Sequence, residues 1–239
     1  SESAIISDAL YGNALDAAAK ANLRVVPILS YLANAIRLGE REVPYSVVTA
    51  INTETFEAIR NRFSNGPAGE TARTESLALP PIVLNDWAAS DLGAKRGDEI
   101  TLEYYLWEDS GQLRTESARF LLDAIVPLTD EAVDRDLVPD YPGLTETENI
   151  ADWDPPFPVD LSRVRDQDEK YWDVYRATPK AFITYERGRD LWRTRYGAMT
   201  SIRFVVPAGT TVENAAAQLQ THLSKSISPR LPPHSGSGR

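Results

Sequence analysis

The sequence predicts an α+β fold with two lobes. Three observations carry that reading: two β-rich runs within Leu23–Ile51, an alternating hairpin over Ile100–Val126, and well-marked helices near both ends of the chain. The first helix is expected from about Asp8 to Ala21, with Ser7 as N-cap and Leu10, Ala14, Leu15 and Ala18 on one face. Leu23 to Ile51 is rich in Val, Ile, Leu and Tyr and is broken by Gly39-Glu40-Arg41-Glu42, which reads as two long strands joined by a polar turn. Thr53 caps a short helix carrying Phe56, Ile59 and Phe63 at helical spacing. Asn65-Gly66-Pro67-Ala68-Gly69 ends it, and a polar loop runs to about Ser76.

A second region opens at Leu79-Pro80-Pro81. Ile82 to Leu84 is expected as a strand, and Asn85 to Leu92 as a helix closed by Gly93 at C′. Ile100, Leu102, Tyr104 and Leu106 share one strand face, Asp109-Ser110-Gly111 turns the chain, and Phe120, Leu122, Ala124 and Val126 alternate again. From Thr129 to Tyr175 the pattern dissolves: acidic residues outnumber basic ones 14 to four, and prolines stand at 139, 142, 155, 156 and 158. So long a loop in a folded domain is often functional. Strands are expected again at Ala181–Tyr185 and Ser201–Val206. Thr210 and Glu213 make a capping box for a last helix, with Val212, Ala215, Ala216, Leu219, Leu223 and Ile227 as its apolar stripe.

The 239 residues suffice for one large domain or two modest ones. A formal net charge of −10 opposes binding to phosphate backbones and to acidic lipid surfaces. The chain has no cysteine, which excludes thiol catalysis, disulfides and cysteine-ligated metals. No stretch reaches the roughly 18 to 20 apolar residues that cross a bilayer. With no visible signal peptide and Ser1 at the start, the expectation is a domain taken from a longer chain, although a processed or tagged cytosolic protein would look the same.

No catalytic constellation emerges. His234 lies in the tail and His222 on the polar side of the last helix, so both read as surface histidines. Gly66-Pro67-Ala68-Gly69-Glu70-Thr71 lacks a phosphate-binding lysine and reads as a turn; no nucleotide is expected as ligand. Acids and tryptophans adjoin in Asp152-Trp153-Asp154 and Glu169-Lys170-Tyr171-Trp172-Asp173. That leaves a secreted carbohydrate-binding or carbohydrate-active protein as the alternative, beside the plainer reading of a solvated acidic loop. Without an Asp-x-Asp-x-Asp-Gly loop, calcium is a minor option, and no cofactor, metal or catalytic residue is assigned. The aromatics Tyr141, Trp153, Tyr171, Trp172 and Tyr175 read first as pins holding the loop to the sheet.

The run Leu84-Asn85-Asp86-Trp87-Ala88-Ala89-Ser90-Asp91-Leu92-Gly93, followed by Arg96-Gly97-Asp98-Glu99-Ile100-Thr101-Leu102, resembles a block of MacB-like and FtsX-like ABC-transporter permeases. Phe120 to Pro127 is similar to the block's return strand. The likeness extends to Tyr31-Leu32-Ala33-Asn34, Val43-Pro44-Tyr45-Ser46, Asp152-Trp153-Asp154-Pro155-Pro156-Phe157-Pro158 and Asp160-Leu161-Ser162, and spans most of the chain up to about Phe204. It implies the extracytoplasmic (periplasmic) domain of an inner-membrane permease. The expected layout is a porter-like α/β lobe from residues 1–78 and 181–227, an inserted mainly-β lobe at 79–180 and a flexible tail at 228–239. It further implies a non-catalytic role: ATP hydrolysis on a separate cytoplasmic subunit or domain, reached through the membrane helices, is coupled to movement of cargo or control of an envelope partner. The full-length protein is expected to be dimeric and the isolated domain monomeric. The acidic segment 129–175 departs from simpler family members. Tyr141, Asp152, Trp153, Asp154, Tyr171 and Trp172 are assigned to partner or cargo binding.

Overall fold

Extended runs of β-branched and aromatic residues make β1 (Arg24–Leu38) and β2 (Arg41–Ile51) an antiparallel pair, in register from Leu29↔Ala50 to Leu38↔Arg41. Gly39, at φ +58, permits the two-residue reversal between them. The computed structural model describes residues 5–63, 79–108, 112–139 and 158–227. Its helices are α1 (Asp8–Lys20), α2 (Thr53–Phe63), α3 (Asp86–Leu92), α4 (Asp166–Tyr175), α5 (Tyr185–Trp192) and α6 (Val212–Ile227). The other strands are β3 (Pro81–Asn85), β4 (Glu99–Trp107), β5 (Leu113–Val126), β6 (Ala181–Thr184) and β7 (Ser201–Val205). None of the described helices is long and apolar enough to cross a membrane.

Two compact units result. Ser1–Ile6 with Pro27–Ile202 forms the first, and Ser7–Val26 with Arg203–Arg239 the second. In the first, β2 pairs with β6 in parallel, β6 with β3 antiparallel, β3 with β5 in parallel, and β5 with β4 antiparallel. The β4–β1 and β1–β2 ladders then close a six-stranded barrel. Its interior holds Leu29, Ile82, Leu84, Ile100, Leu102 and Phe120, with Ala88 and Leu92 of α3 and Trp192 of α5 in the same cluster. Outside lies a second layer, in which Phe56 and Ile59 of α2 pack with Ile28, Val83, Val126 and Phe182. The fold is therefore α+β, but β1, β2 and β6 close one sheet with β3–β5. The two-lobed description, with a separate inserted β lobe, gives way to this barrel.

The reason the alternation of β5 misleads is local. Ile82 pairs with Leu122 but Val83 pairs with Ala124, so Asp123 is an extra residue in the ladder. Phe120 and Leu122 face the interior, while Ala124 and Val126, on the other side of the slip, join the outer layer. Asp123 turns outward to Arg60 (3.3 Å) and Arg96 (3.4 Å).

The second unit is smaller. Ala18 of α1, Ala21 at the C-cap of that helix, Leu23 and Ala215 of α6 form its core, with Val25, Phe204, Val206 and Leu219 alongside. Three expectations shift here. The buried face of α1 is Ala14, Ala17 and Ala18, whereas Leu10 and Leu15 are exposed. The N-terminus of α6 is capped by Thr211, whose hydroxyl accepts from Asn214 N–H at 3.3 Å, one residue beyond the expected box. Val212, counted in the apolar stripe, is 68% exposed. The turns expected at 65–69 and 109–111, the loop to 76 and the tail at 228–239 lie outside the described residues.

Candidate functional site

Within the segment expected to lack structure, α4 spans Asp166–Tyr175, flanked by single 3-10 turns at Asp130–Val133, Arg135–Leu137 and Leu161–Arg163. Asp168, Tyr171, Trp172 and Tyr175 repeat at helical spacing, and the first three are buried. The signal was present in the sequence but short, and it followed a proline-rich acidic run.

The start of α4 is clamped electrostatically. Arg165 donates its backbone N–H to Asp168 at 2.9 Å, and its guanidinium reaches both carboxylate oxygens of Asp168 at 2.8 and 2.9 Å. The same guanidinium donates to Asp91 of α3 at 2.7 Å, and Gln167 also donates to Asp91. These bonds to Asp168 and Asp91 outweigh desolvation and hold the Arg165 pKa above its ordinary value. Asp168, 2% exposed, is thus committed to a fixed cation.

The middle of α4 is an aromatic anchor. Tyr171 Oη accepts from Asn85 Nδ2 at 3.1 Å and shares a hydrogen bond with Thr178 Oγ1 at 2.9 Å; burial pushes its pKa up to about 12. Its ring lies 4.8 Å from that of Trp87 and 5.0 Å from that of Tyr175. Asn85 joins two structures, since its Oδ1 accepts from Ala88 N–H as the N-cap of α3 while its Nδ2 also reaches Pro179 O at 3.2 Å. Lys180 completes the group. Its Nζ stands 4.6 Å from the Trp87 ring centre and 4.8 Å from that of Tyr171, in a site that leaves the residue 4% exposed. Burial brings its pKa down to about 8, against an opposing pull from Asp168. Trp172, 3% exposed, packs with Leu32, Val159, Val164 and Ala177, and Arg176 lies over its ring at 5.7 Å.

The structure therefore brings Tyr171 and Trp172 together on one helix and buries both. Tyr141, Asp152, Trp153 and Asp154 lie outside the described residues. Sequence reasoning missed Arg165, Asp91 and Lys180. Asp91 sits inside the Leu84–Gly93 run quoted for the family resemblance, and Lys180 directly precedes an apolar strand, but neither position announces a partner. Glu169 is half-buried, and Asp173 points to solvent beside Val174, which is 60% exposed. Among the described residues no cluster of three or more His, Asp or Glu is placed to hold a metal. The arrangement can fix α4 against α3 and β6 and present Asp166, Lys170, Asp173 and Val174 outward.

Comparison with solved structures gives a similarity to the periplasmic region of MacB from Actinobacillus actinomycetemcomitans. It covers 92% of this chain and 75% of that chain, at 10% identity and a TM-score of 0.46. No family model and no curated protein matches the sequence.

Proposed function

We propose that this chain is the extracytoplasmic domain of a MacB/FtsX-type ABC-transporter permease, coupling cytoplasmic ATP hydrolysis to movement of cargo or control of an envelope partner. The observation that supports it best is the second unit: α1 and α6, far apart in sequence, pack together, as a domain leaving and re-entering a membrane through adjacent helices requires. The Leu84–Val126 block adds to this. It folds as one run of strand, capped helix, Gly93 in the left-handed region (φ +64), a second turn at Gly97 and a hairpin.

The contact assigned to Tyr141, Asp152, Trp153, Asp154, Tyr171 and Trp172 belongs to this proposal. In it Tyr171 and Trp172 act from below as anchors, and the outer face of α4 meets the partner. The test is made on the full-length gene product. Spheroplast proteolysis of the membrane-embedded protein should cleave this domain from outside, and Val174→Asp should cut transport or partner recovery at least fivefold while basal ATPase activity persists. Recovery of the whole gene product as a soluble cytosolic protein would overturn the placement. Full transport after deletion of residues 134–175 would overturn the contact.

A further inference from the structure

Within β2 the ladder with β1 keeps its register on both sides of Tyr45, at Ala33↔Ser46 and Ala35↔Pro44, yet Tyr45 itself stands at φ +39. That is the left-handed region, which a tyrosine occupies at a cost and only where its surroundings hold it. The segment leading into α4 is what its side chain meets. The Tyr45 hydroxyl accepts from Asp160 N–H at 2.7 Å and donates to Asp160 O at 3.1 Å, so one phenol satisfies both backbone groups of a single residue. Arg163 lies over the Tyr45 ring at 5.5 Å and reaches Glu42 of β2 at 2.9 Å.

Three features make Val159–Val164 a unit that can leave without disturbing its neighbours. It is braced internally, since Ser162 N–H donates to Asp160 Oδ1 at 3.1 Å beside the 3-10 turn Leu161–Arg163. The next residue, Arg165, is fixed to Asp168 and Asp91, so the start of α4 has its own anchorage. Departure of Arg163 also strands no carboxylate, because Glu42 keeps Arg37 at 2.7 Å. Beneath the segment, Val159 and Val164 pack with Leu32 against Trp172, which is 3% exposed. The Trp172 Nε1–H is buried there without an acceptor among the described residues. Buried donors in folded proteins are nearly always paired, so the covered state carries a desolvated donor as well as the strained Tyr45 backbone.

We propose that Val159–Val164 is a strap, latched by Tyr45 and Arg163, that lifts from β2 as one piece and bares Trp172 to water while α4 stays seated. Lifting breaks the latches and exposes two valines. Against that, it hydrates the Trp172 indole and frees Tyr45 from the contact that accompanies its strained conformation. Opposed terms of this kind give an element two accessible states well below the free energy of global unfolding. The inference does not depend on the domain's place in a transporter.

The test follows hydrogen exchange of the Trp172 indole N–H by NMR in the full 239-residue chain, with the resonance assigned from Trp172→Phe. Each protection factor is taken relative to the group's own intrinsic rate. In wild type the Trp172 indole should be less protected than the backbone N–H groups of Tyr171 and Trp172 in α4, and less than those of Ile100 and Leu102 in the barrel. Tyr45→Phe keeps the ring beneath Arg163 but removes the hydroxyl, and Arg163→Gln removes the charge on Glu42. Each should lower indole protection roughly fivefold or more and leave the α4 and barrel amides unchanged. Indole protection equal to that of the α4 amides would mean that the helix leaves as a whole, and protection equal to that of the barrel would mean exposure by global unfolding. Either result, or indifference of the indole to both variants, would overturn the proposal.

Discussion

The two units of this chain stabilise themselves by opposite means. The barrel encloses large side chains completely: Phe120, Ile82, Leu84, Ile100 and Leu102 are all at 0% exposure. The α1/α6 unit buries mostly alanine, and it leaves Leu10, Leu15, Val205 and Val212 at 36% to 68% exposure. Per residue, the barrel removes far more apolar surface from water, at roughly 25 cal/mol per Å². Alanines contribute less area but permit close approach of helices. The lesson is that the barrel is expected to set the global stability, while the helix pair opens at lower free energy.

The largest effect should come from truncating the barrel interior. Phe120→Ala removes a fully buried ring and should cost about 3–5 kcal/mol, read as a lowered urea midpoint with an unchanged slope. A cost below about 1 kcal/mol would mean that the barrel is loosely packed, and the contrast with the helix pair would fail. Close packing also explains Gly188: a Cβ there would lie 2.3 Å from Ala50 Cβ, so α5 rests on β2 only because this residue has no side chain.

That glycine shows why some elements were legible in the sequence and others were not. β1, β2, β4, β5, α2 and α3 follow from periodicity, caps and turn residues, because local preference and final environment agree there. α5 was not legible, since half of Tyr185-Glu186-Arg187-Gly188-Arg189-Asp190-Leu191-Trp192 is charged and it contains glycine; tertiary contacts such as those with Ala50, Tyr31 and Tyr104 justify its helix. Barrel closure was hidden for the same reason, as it rests on three β1–β4 pairs and on β6 lying between β2 and β3. Of the candidate site, Tyr171 and Trp172 were visible as aromatics beside acids. Their buried partners Lys180 and Asn85, and the half-buried Arg165 that fixes Asp168 on the same helix, are distant in sequence or unremarkable in type, so pattern alone could not join them.

The next effect concerns Lys180. In the folded chain its pKa is near 8, against an ordinary 10.5. Below pH 8 both states carry the proton and the full burial penalty is felt. Between about 8 and 10.5 the unfolded chain binds a proton that the folded chain does not, so stability rises with pH. Wild type should therefore gain about 2 kcal/mol relative to Lys180→Met between pH 7 and 9.5, measured by denaturant unfolding at both values. A gap that stays constant, or that moves the other way, would show that the amine is solvated and that the Trp87–Tyr171 clamp is open.

The smallest effect is the one that sharpens the contrast between the units. Leu15→Gln and Val212→Thr alter apolar side chains that face solvent at 40% and 68% exposure. Each should change stability by no more than about 0.5 kcal/mol, and hydrogen exchange should show α1 and α6 opening before the barrel in wild type and both variants. If either substitution costs more than about 1 kcal/mol, that side chain is covered in solution, and the cost should then depend on protein concentration if the cover is a second copy. The α1/α6 unit would in that case derive stability from association, where the barrel derives it from its own interior.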